Sequence, residues 1–436
     1  MTSLSSSTSS SPPPFTSYEL YQQYYQSYFP ANELIDWQQS ISSMTTWDQR
    51  EWSARIPTKS SSSSSYSSSP SFDPLQSEKS DMIRYKSFST GSTLKSFCLS
   101  TMPYRLETGP IYKESIQFKS NTSESKPIII QRPLTFDIDM DEYDKGIQIR
   151  FCCFGTRGVC AQCWTLLVSA VGQLKYFIQH HFGFQQLLCV YSGRRGLHIW
   201  VTDPAAMKLS GECRKSIEVY IHTYFNGTSP SSLSPLEFDP LLFKQSELDF
   251  KDMAAYQSYS TRPTKQMLLF QHASSSTSLD YQKTILSHVK VRLDVGVTVK
   301  MNHLLKCPFS IHPSTSKICI VLEMETLAMF NPATCPTVDG LVAQQPEAIA
   351  AFQHSLDIFH QYIQCIRKTS TLDSSLQEKK KERKNIKDLN KVEREEPTQI
   401  NKQQGKDHQQ KQEERKIDEN TTMCDDDDNN NDGEWR

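Results

Sequence analysis

The chain of 436 residues predicts a mixed α/β (α+β) fold, with sheets flanked by helices. Short segments such as Leu134–Met140 and Val289–Val297 alternate apolar and polar residues with period two, the signature of half-buried strands. Longer segments, Gln162–Phe182 and Ile349–Arg367, repeat apolar residues at helical spacing. Between them, the polar motifs fall on strands or on strand-to-strand turns.

Tyr18–Trp37 carries Tyr and other apolar residues at helical spacing, and Pro30 divides it into two short helices. Pro103–Tyr112 reads as a strand and turn. In Leu134–Met140, Leu134, Phe136, Ile138 and Met140 share one face, and Thr135, Asp137 and Asp139 the other. Gln162–Phe182 is a helix with the stripe Leu167, Ala170, Val171, Leu174, Phe177 and Ile178, stopped by Gly183. Leu187–Tyr191 and Leu197–Val201 are strands around the turn Ser192–Gly196. No pattern stands out between Asp203 and Ser287. Val289–Val297 is the cleanest alternating strand, Cys307–His312 and Ile318–Leu322 form a further strand pair, and Ile349–Arg367 closes the fold as a helix.

Serine runs at Ser5–Ser11 and Ser60–Ser69 cannot bury enough apolar surface to offset ordering entropy. The expected organisation is a disordered N-terminus over 1–17, a core over 18–203 and 288–367, and a serine-rich insert at about 58–80. A divergent insert or helical subdomain spans 204–287, and a disordered charged tail 368–436. The net charge of −2 hides this segregation, so any basic surface is local. No apolar run reaches membrane-spanning length and the N-terminus lacks a secretory apolar segment, which argues against membrane and secreted classes. Twelve cysteines in such a chain suit a reducing compartment.

Four motifs carry chemistry. Asp137 and Asp139 project side by side from one strand, and like charges so placed call for a cation between them. Hard oxygen ligands suit Mg²⁺ or Mn²⁺. Such a pair serves phosphoryl or nucleotidyl transfer, but also occurs in glycosyltransferases, in nucleases and as plain surface charge. Asp294, on the polar face of its expected strand, is a candidate third ligand or a partner for Arg292. Ser192-Gly193-Arg194-Arg195-Gly196-Leu197-His198 combines a glycine turn, whose N–H groups can meet phosphate, with two planar donor forks. An ordinary hairpin with exposed arginines is the alternative. Asn302–His312 adds Lys306 and two histidines. Cys152, Cys153, Cys160 and Cys163 have the ligand count of a four-thiolate zinc site, and the last two its C-x2-C spacing, with buried free thiols as the alternative. Lys379–Lys384 reads as a solvated charge run or a nuclear import signal.

In order and approximate spacing, four strings resemble the small, catalytic subunit of the archaeo-eukaryotic DNA primase in its eukaryotic form. These are Phe136–Met140, the cysteine box ending in Cys163-Trp164, Tyr191–Val201, and Arg292–Val295 with Asn302–His312. Weaker echoes are Arg50-Glu51-Trp52-Ser53, Ile83-Arg84-Tyr85 and Pro103-Tyr104. The resemblance covers roughly residues 18–365 apart from inserts. It implies the primase catalytic core, with mixed sheets, an inserted zinc motif and a reduced helical insert.

By that resemblance, Asp137, Asp139 and Asp294 hold two catalytic Mg²⁺ or Mn²⁺ ions, and Glu51 matches an acidic position tied to activity. Ser192, Arg194, Arg195, His198, Lys306 and His312 grip the triphosphate and sugar of the incoming nucleotide, with His303, Leu304 and Leu305 near the ribose. Arg84 and Arg105 approach the nucleotide. The four cysteines bind one structural Zn²⁺. The implied function is synthesis of short RNA primers from ribonucleoside triphosphates on single-stranded DNA, in the nucleus, for replication initiation and lagging-strand synthesis. The implied partners are a large iron–sulfur subunit and the DNA polymerase alpha complex. Gly296, where relatives carry a small polar residue, and Gln26-Ser27, where they carry a basic pair, depart from the pattern. A repair primase-polymerase and a non-catalytic zinc- and DNA-binding subunit are the competing readings.

Overall fold

The computed structural model describes residues 17–42, 46–57, 80–116, 127–144, 158–226 and 290–370. The chain divides into two compact units, 1–366 and 367–436, and the elements below belong to the first. Among the described residues, no helix is long and apolar enough to cross a membrane.

Pro30 separates α1 (Ser17–Ser27) from α2 (Ala31–Ser40), as the sequence predicts. Trp37 of α2 is fully buried, its ring edge-on to those of Trp200 at 5.3 Å and Phe359 at 5.7 Å, which ties the N-terminal helices to the core. The next elements are β1 (Arg50–Pro57), β2 (Ser80–Lys86), α3 (Gly91–Thr101), β3 (Arg105–Tyr112) and β4 (Ile129–Gln131). They form an antiparallel sheet of order β2-β1-β3-β4, in which β8 (Leu305–Lys306) also pairs with β3.

A second antiparallel sheet has the order β5-β7-β6-β9, from β5 (Leu134–Asp139), β6 (Leu187–Tyr191), β7 (Gly196–Val201) and β9 (Val321–Leu322). The alternation in β5 is realised: Leu134, Phe136 and Ile138 are fully buried, and Asp137 and Asp139 keep partial access to solvent. Met140 leaves the strand and starts the short helix α4 (Met140–Asp144), whose Asp141 N–H is accepted by Asp139 Oδ1 at 2.9 Å. The predicted stripe of α5 (Ala161–Tyr176, continued by a π turn over Phe177–His181) is buried throughout, and Gly183 ends the run at φ +74°. The closing helix, α10, runs over 346–366 of this unit.

The structure departs from the expected strands in two places and supplies a helix where the sequence pattern is weak. Val289 lies outside the described residues, and 290–297 are not a strand: 290–294 join no ladder, and Asp294 caps the short helix α8 (Val295–Val299). The Asp294 carboxylate accepts the N–H groups of Gly296 at 2.8 Å and Val297 at 3.4 Å, a local arrangement that competes with strand pairing. Cys307–His312 does run beside Ile318–Leu322, with Phe309 N–H on Cys319 O at 2.7 Å and an Ile311–Ile318 bridge. Pro308 lacks a donor and Phe309 is left-handed at φ +61°, so no continuous ladder forms. After α6 (Pro204–Met207), the weakly patterned region contains α7 (Gly211–Asn226), which buries Ile217, Ile221 and Tyr224 at helical spacing. Arg214 occupies the preceding position of that stripe and is itself fully buried, which hid the period. The short helix α9 (Val338–Val342) precedes α10.

Candidate active site

The site is built first by the register of β5 on β7. Asp137 lies opposite His198 and Asp139 opposite Gly196, with Asp137 Oδ1 3.8 Å from His198 Nε2. Glycine is required at 196, because a Cβ there would sit 2.9 Å from the Ile138 carbonyl. Arg195, just before β7, pairs its Nε with Asp139 Oδ1 at 3.0 Å and also pairs with Asp141. Asp294 arrives from another part of the chain, and its N–H donates to the Asp137 carbonyl at 3.0 Å. The cap of α8 is thus fastened to the strand that carries the other two aspartates.

Electrostatics follow from this crowding. Burial, and then the neighbouring Asp139, push the Asp137 carboxyl up to about 7, with Lys306 and Arg105 opposing and Asp294 adding to the rise. Burial also raises Asp139, against the pull of Arg195, Arg194 and Lys306. Carboxylate oxygens of this kind are ligands a divalent cation accepts, although among the described residues no three His, Cys, Asp or Glu side chains already stand in metal-holding geometry.

Facing them is a cationic wall. Lys306 of β8 is buried and donates from Nζ to the Ser192 carbonyl at 2.7 Å, joining the glycine turn to the first sheet. That turn is held by Gly196 N–H on Ser192 Oγ at 3.1 Å, Tyr191 Oη–H on the Arg194 carbonyl at 2.7 Å, and Thr315 Oγ1–H on the Gly193 carbonyl at 2.8 Å. Gly193 has φ +86°, and a Cβ there would lie 2.7 Å from that of His312. His198 and His312 are both held in the neutral form, by burial first and then by the field of Lys306, Arg105 and, for His312, Arg194. Burial and then Arg132 lower His303 as well. Arg105, Lys306 and Arg194 thus act on the same volume, a field that suits a polyanion.

Glu51 and Arg84 are brought to each other. The fully buried Glu51 carboxylate accepts from Arg84 Nε at 2.9 Å and Nη2 at 3.2 Å, and from Tyr112 Oη–H at 2.7 Å. Leu304 borders this network, its Cδ2 only 2.5 Å from where a Gly109 Cβ would be, with Glu51 Oε2 3.5 Å from the same point. Cys160 stands at the N-cap of α5 and Cys163 is buried in its first turn, whereas Cys152 and Cys153 lie outside the described residues.

Three residues that sequence reasoning passed over belong to the site's frame. Glu107 of β3, 2% exposed, pairs with Arg105 at 2.5 Å and lies in register with Lys306. The available signal was polar residues on both faces of a strand. Arg132 donates to Thr135 Oγ1 at 2.7 Å, to the Val297 carbonyl at 2.9 Å and to the His303 carbonyl at 3.1 Å. Arg214 donates to the carbonyls of Arg132 and Pro133. Together they fasten β5, α7, α8 and the His303 loop around the carboxylates. No local pattern announces them.

The family model for the DNA primase small subunit matches residues 136–324. The chain is 30% identical to the DNA primase small subunit of Schizosaccharomyces pombe over 311 residues, covering 60% of this chain and 68% of that one. Against the Drosophila melanogaster subunit it is 29% identical, covering 60% and 70%. For the Saccharomyces cerevisiae subunit the figures are 24%, 65% and 81%. A solved structure, the polymerase domain from Mycobacterium tuberculosis ligase D in complex with DNA, aligns at 10% identity over 75% of this chain and 88% of that one. Its TM-score of 0.32 is too low to bear on the site.

Proposed function

This chain belongs to the DNA primase small-subunit family, and from that premise we propose that Asp137, Asp139 and Asp294 form its metal-holding catalytic centre. The small subunit is the catalytic one, its chemistry is metal-dependent nucleotidyl transfer, and its function is RNA primer synthesis in DNA replication. It works with a partner subunit, a DNA template and nucleoside triphosphates. The finer assignments are part of the proposal: two Mg²⁺ or Mn²⁺ ions at the aspartates, and one structural Zn²⁺ at Cys152, Cys153, Cys160 and Cys163. To these we add a large iron–sulfur subunit and the DNA polymerase alpha complex as partners, and the nucleus as the place of work.

The observation that carries the proposal is the joining of two opposite fields. A carboxylate pair raised chiefly by burial stands on β5, and a buried lysine bonded to the Ser192 turn stands across from it. When bound, divalent ions supply Lewis-acid activation of the 3′-hydroxyl and stabilise the leaving pyrophosphate. The chain's own residues do the rest. The Ser192 turn offers backbone N–H groups to phosphate, Arg194 and Arg195 add planar forks, and Lys306 supplies a desolvated positive charge. Neutral His198 and His312 can donate a hydrogen bond to phosphate or sugar without losing a proton. Arg195 faces both ways, since its ion pairs with Asp139 and Asp141 pre-position it at the junction of the two fields. Glu51 fixes the aim of Arg84.

Two outcomes follow. With the partner subunit, single-stranded DNA and Mg²⁺ or Mn²⁺, the chain is expected to make short RNA from ribonucleotides without a pre-existing primer. A preference for deoxynucleotides in that assay would overturn this reading in favour of a repair primase-polymerase. Gly193→Ala places a Cβ against His312 in a left-handed turn, and is expected to weaken triphosphate binding by at least about tenfold, read by calorimetry.

A further inference from the structure

The pairing of β1 with β2 jumps register: Ala54 faces Ile83, but Trp52 faces Lys86, so Arg84 and Tyr85 together oppose the single residue Ser53. This is a β-bulge, a device that re-aims side chains. Tyr85 pays for it with φ +56°, a left-handed backbone that disfavours any residue with a Cβ. Burial does not offset the strain, because Tyr85 remains 37% exposed. The neighbouring side chains are nevertheless fixed. The Arg84 guanidinium carbon lies 5.0 Å from the centroid of the Tyr85 ring, and its Nε is anchored on the fully buried Glu51. Glu51 also accepts the Tyr85 N–H at 3.4 Å and the Tyr112 hydroxyl, and the Tyr112 ring stands 6.3 Å from that of Tyr85. The same carboxylate lies near Gly109 and Leu304, two residues before Lys306, and so links the bulge to the segment that carries that lysine.

We propose that Tyr85 is a nucleobase-stacking platform, held in a strained bulge so that its ring meets a base next to the catalytic centre. The inference rests on the primer-synthesis reading, because a nucleobase is the moiety common to that reaction's template and triphosphate. A flat π face accepts any base, and the Arg84 guanidinium over that ring, itself paired with Glu51, fixes the ring's orientation. The arrangement joins a strained backbone, an exposed aromatic and an anchored cation, and stacking on a base accounts for all three.

Tyr85→Gly separates binding from stability, because glycine adopts the left-handed backbone without strain. Its Tm is expected at or above that of wild type, while affinity for a labelled single-stranded DNA oligonucleotide, by fluorescence anisotropy, falls about tenfold. Tyr85→Phe keeps the ring and is expected to bind as wild type. Calorimetry with a ribonucleoside triphosphate forms the second arm: weakening there and not with DNA would identify the incoming base as the one stacked. Both arms unchanged in Tyr85→Gly would overturn the proposal. Neither arm requires turnover, so a protein inactive in primer synthesis that still loses base affinity on Tyr85→Gly would refute the reaction reading alone.

Discussion

Asp137→Asn is expected to make the metal-free protein more stable at pH 8, by at most about 4 kcal/mol, while removing its activity. The folded carboxyl is raised from 3.8 to about 7, so the folded chain holds a proton that the unfolded chain releases. Stability from this group is therefore full below pH 3.8 and lost as pH rises through 7, above which the whole penalty of an ionised Asp137 is present. Asparagine cannot ionise and escapes that penalty. The gain should shrink as pH falls from 8 toward 5, because protonation then relieves the wild type as well. Thermal melts in chelator at the two pH values read the difference directly. Saturating Mg²⁺ or Mn²⁺ should narrow it at pH 8, since a cation bound only by the folded wild type stabilises that state by mass action.

Arg132→Ala acts in the opposite direction. Its side chain is 1% exposed and bridges Thr135 on β5, Val297 on α8 and the His303 carbonyl. Truncation leaves the Thr135 hydroxyl and the Val297 carbonyl only each other, at 3.4 Å, and strips the half-buried His303 carbonyl of this donor. Each bond lost costs about 1–3 kcal/mol, and a cavity opens where the arginine stem packed. The guanidinium's own burial, which with Arg214 nearby pushes it down to about 9, offsets part of that loss. We expect a net destabilisation of about 3 kcal/mol by denaturant unfolding. At temperatures where the variant stays folded, the Mn²⁺ concentration for half-maximal primer synthesis should also rise, because Asp294 caps the helix that Arg132 secures to β5. Lysine at this position can reach only part of the fork's acceptors and should restore only part of both effects.

Much of this frame was legible in the sequence because periodicity reports which face of an element is apolar. The alternation through Leu134, Phe136 and Ile138 placed Asp137 and Asp139 together, and the stripe from Leu167 to Ile178 gave α5. The same signal misled at Asp294. Valines at period two fit a strand, but an aspartate followed closely by glycine closes its own hydrogen bonds and caps a helix instead. Arg132 and Arg214 were invisible for a different reason. Their partners lie far away in sequence, as with Arg132 and Val297, and a charged residue on an apolar stripe reads as a flaw in the pattern. The Glu51–Arg84 pair likewise depends on the β1–β2 register, which local composition does not encode. The geometry also refined the role expected of Glu51: its carboxylate is engaged by Arg84 and the Tyr112 hydroxyl, which suits holding a cation in place.

The common thread is that the site is held at a cost in stability. Burial and a neighbouring carboxylate disfavour the charge of Asp137, burial disfavours that of Lys306, and Tyr85 keeps a left-handed backbone. Each is unfavourable for the empty protein and favourable once a cation, a polyphosphate or a base arrives. The measurement that bears most directly on the aspartate centre is ribonucleotide dimer formation on single-stranded DNA with Mn²⁺ and the partner subunit, wild type and Asp137→Asn side by side. Wild type should form dimers, and the variant, though the more stable fold without metal, should lose on the order of 10³-fold in rate. Dimer formation by Asp137→Asn at the wild-type rate would contradict the account.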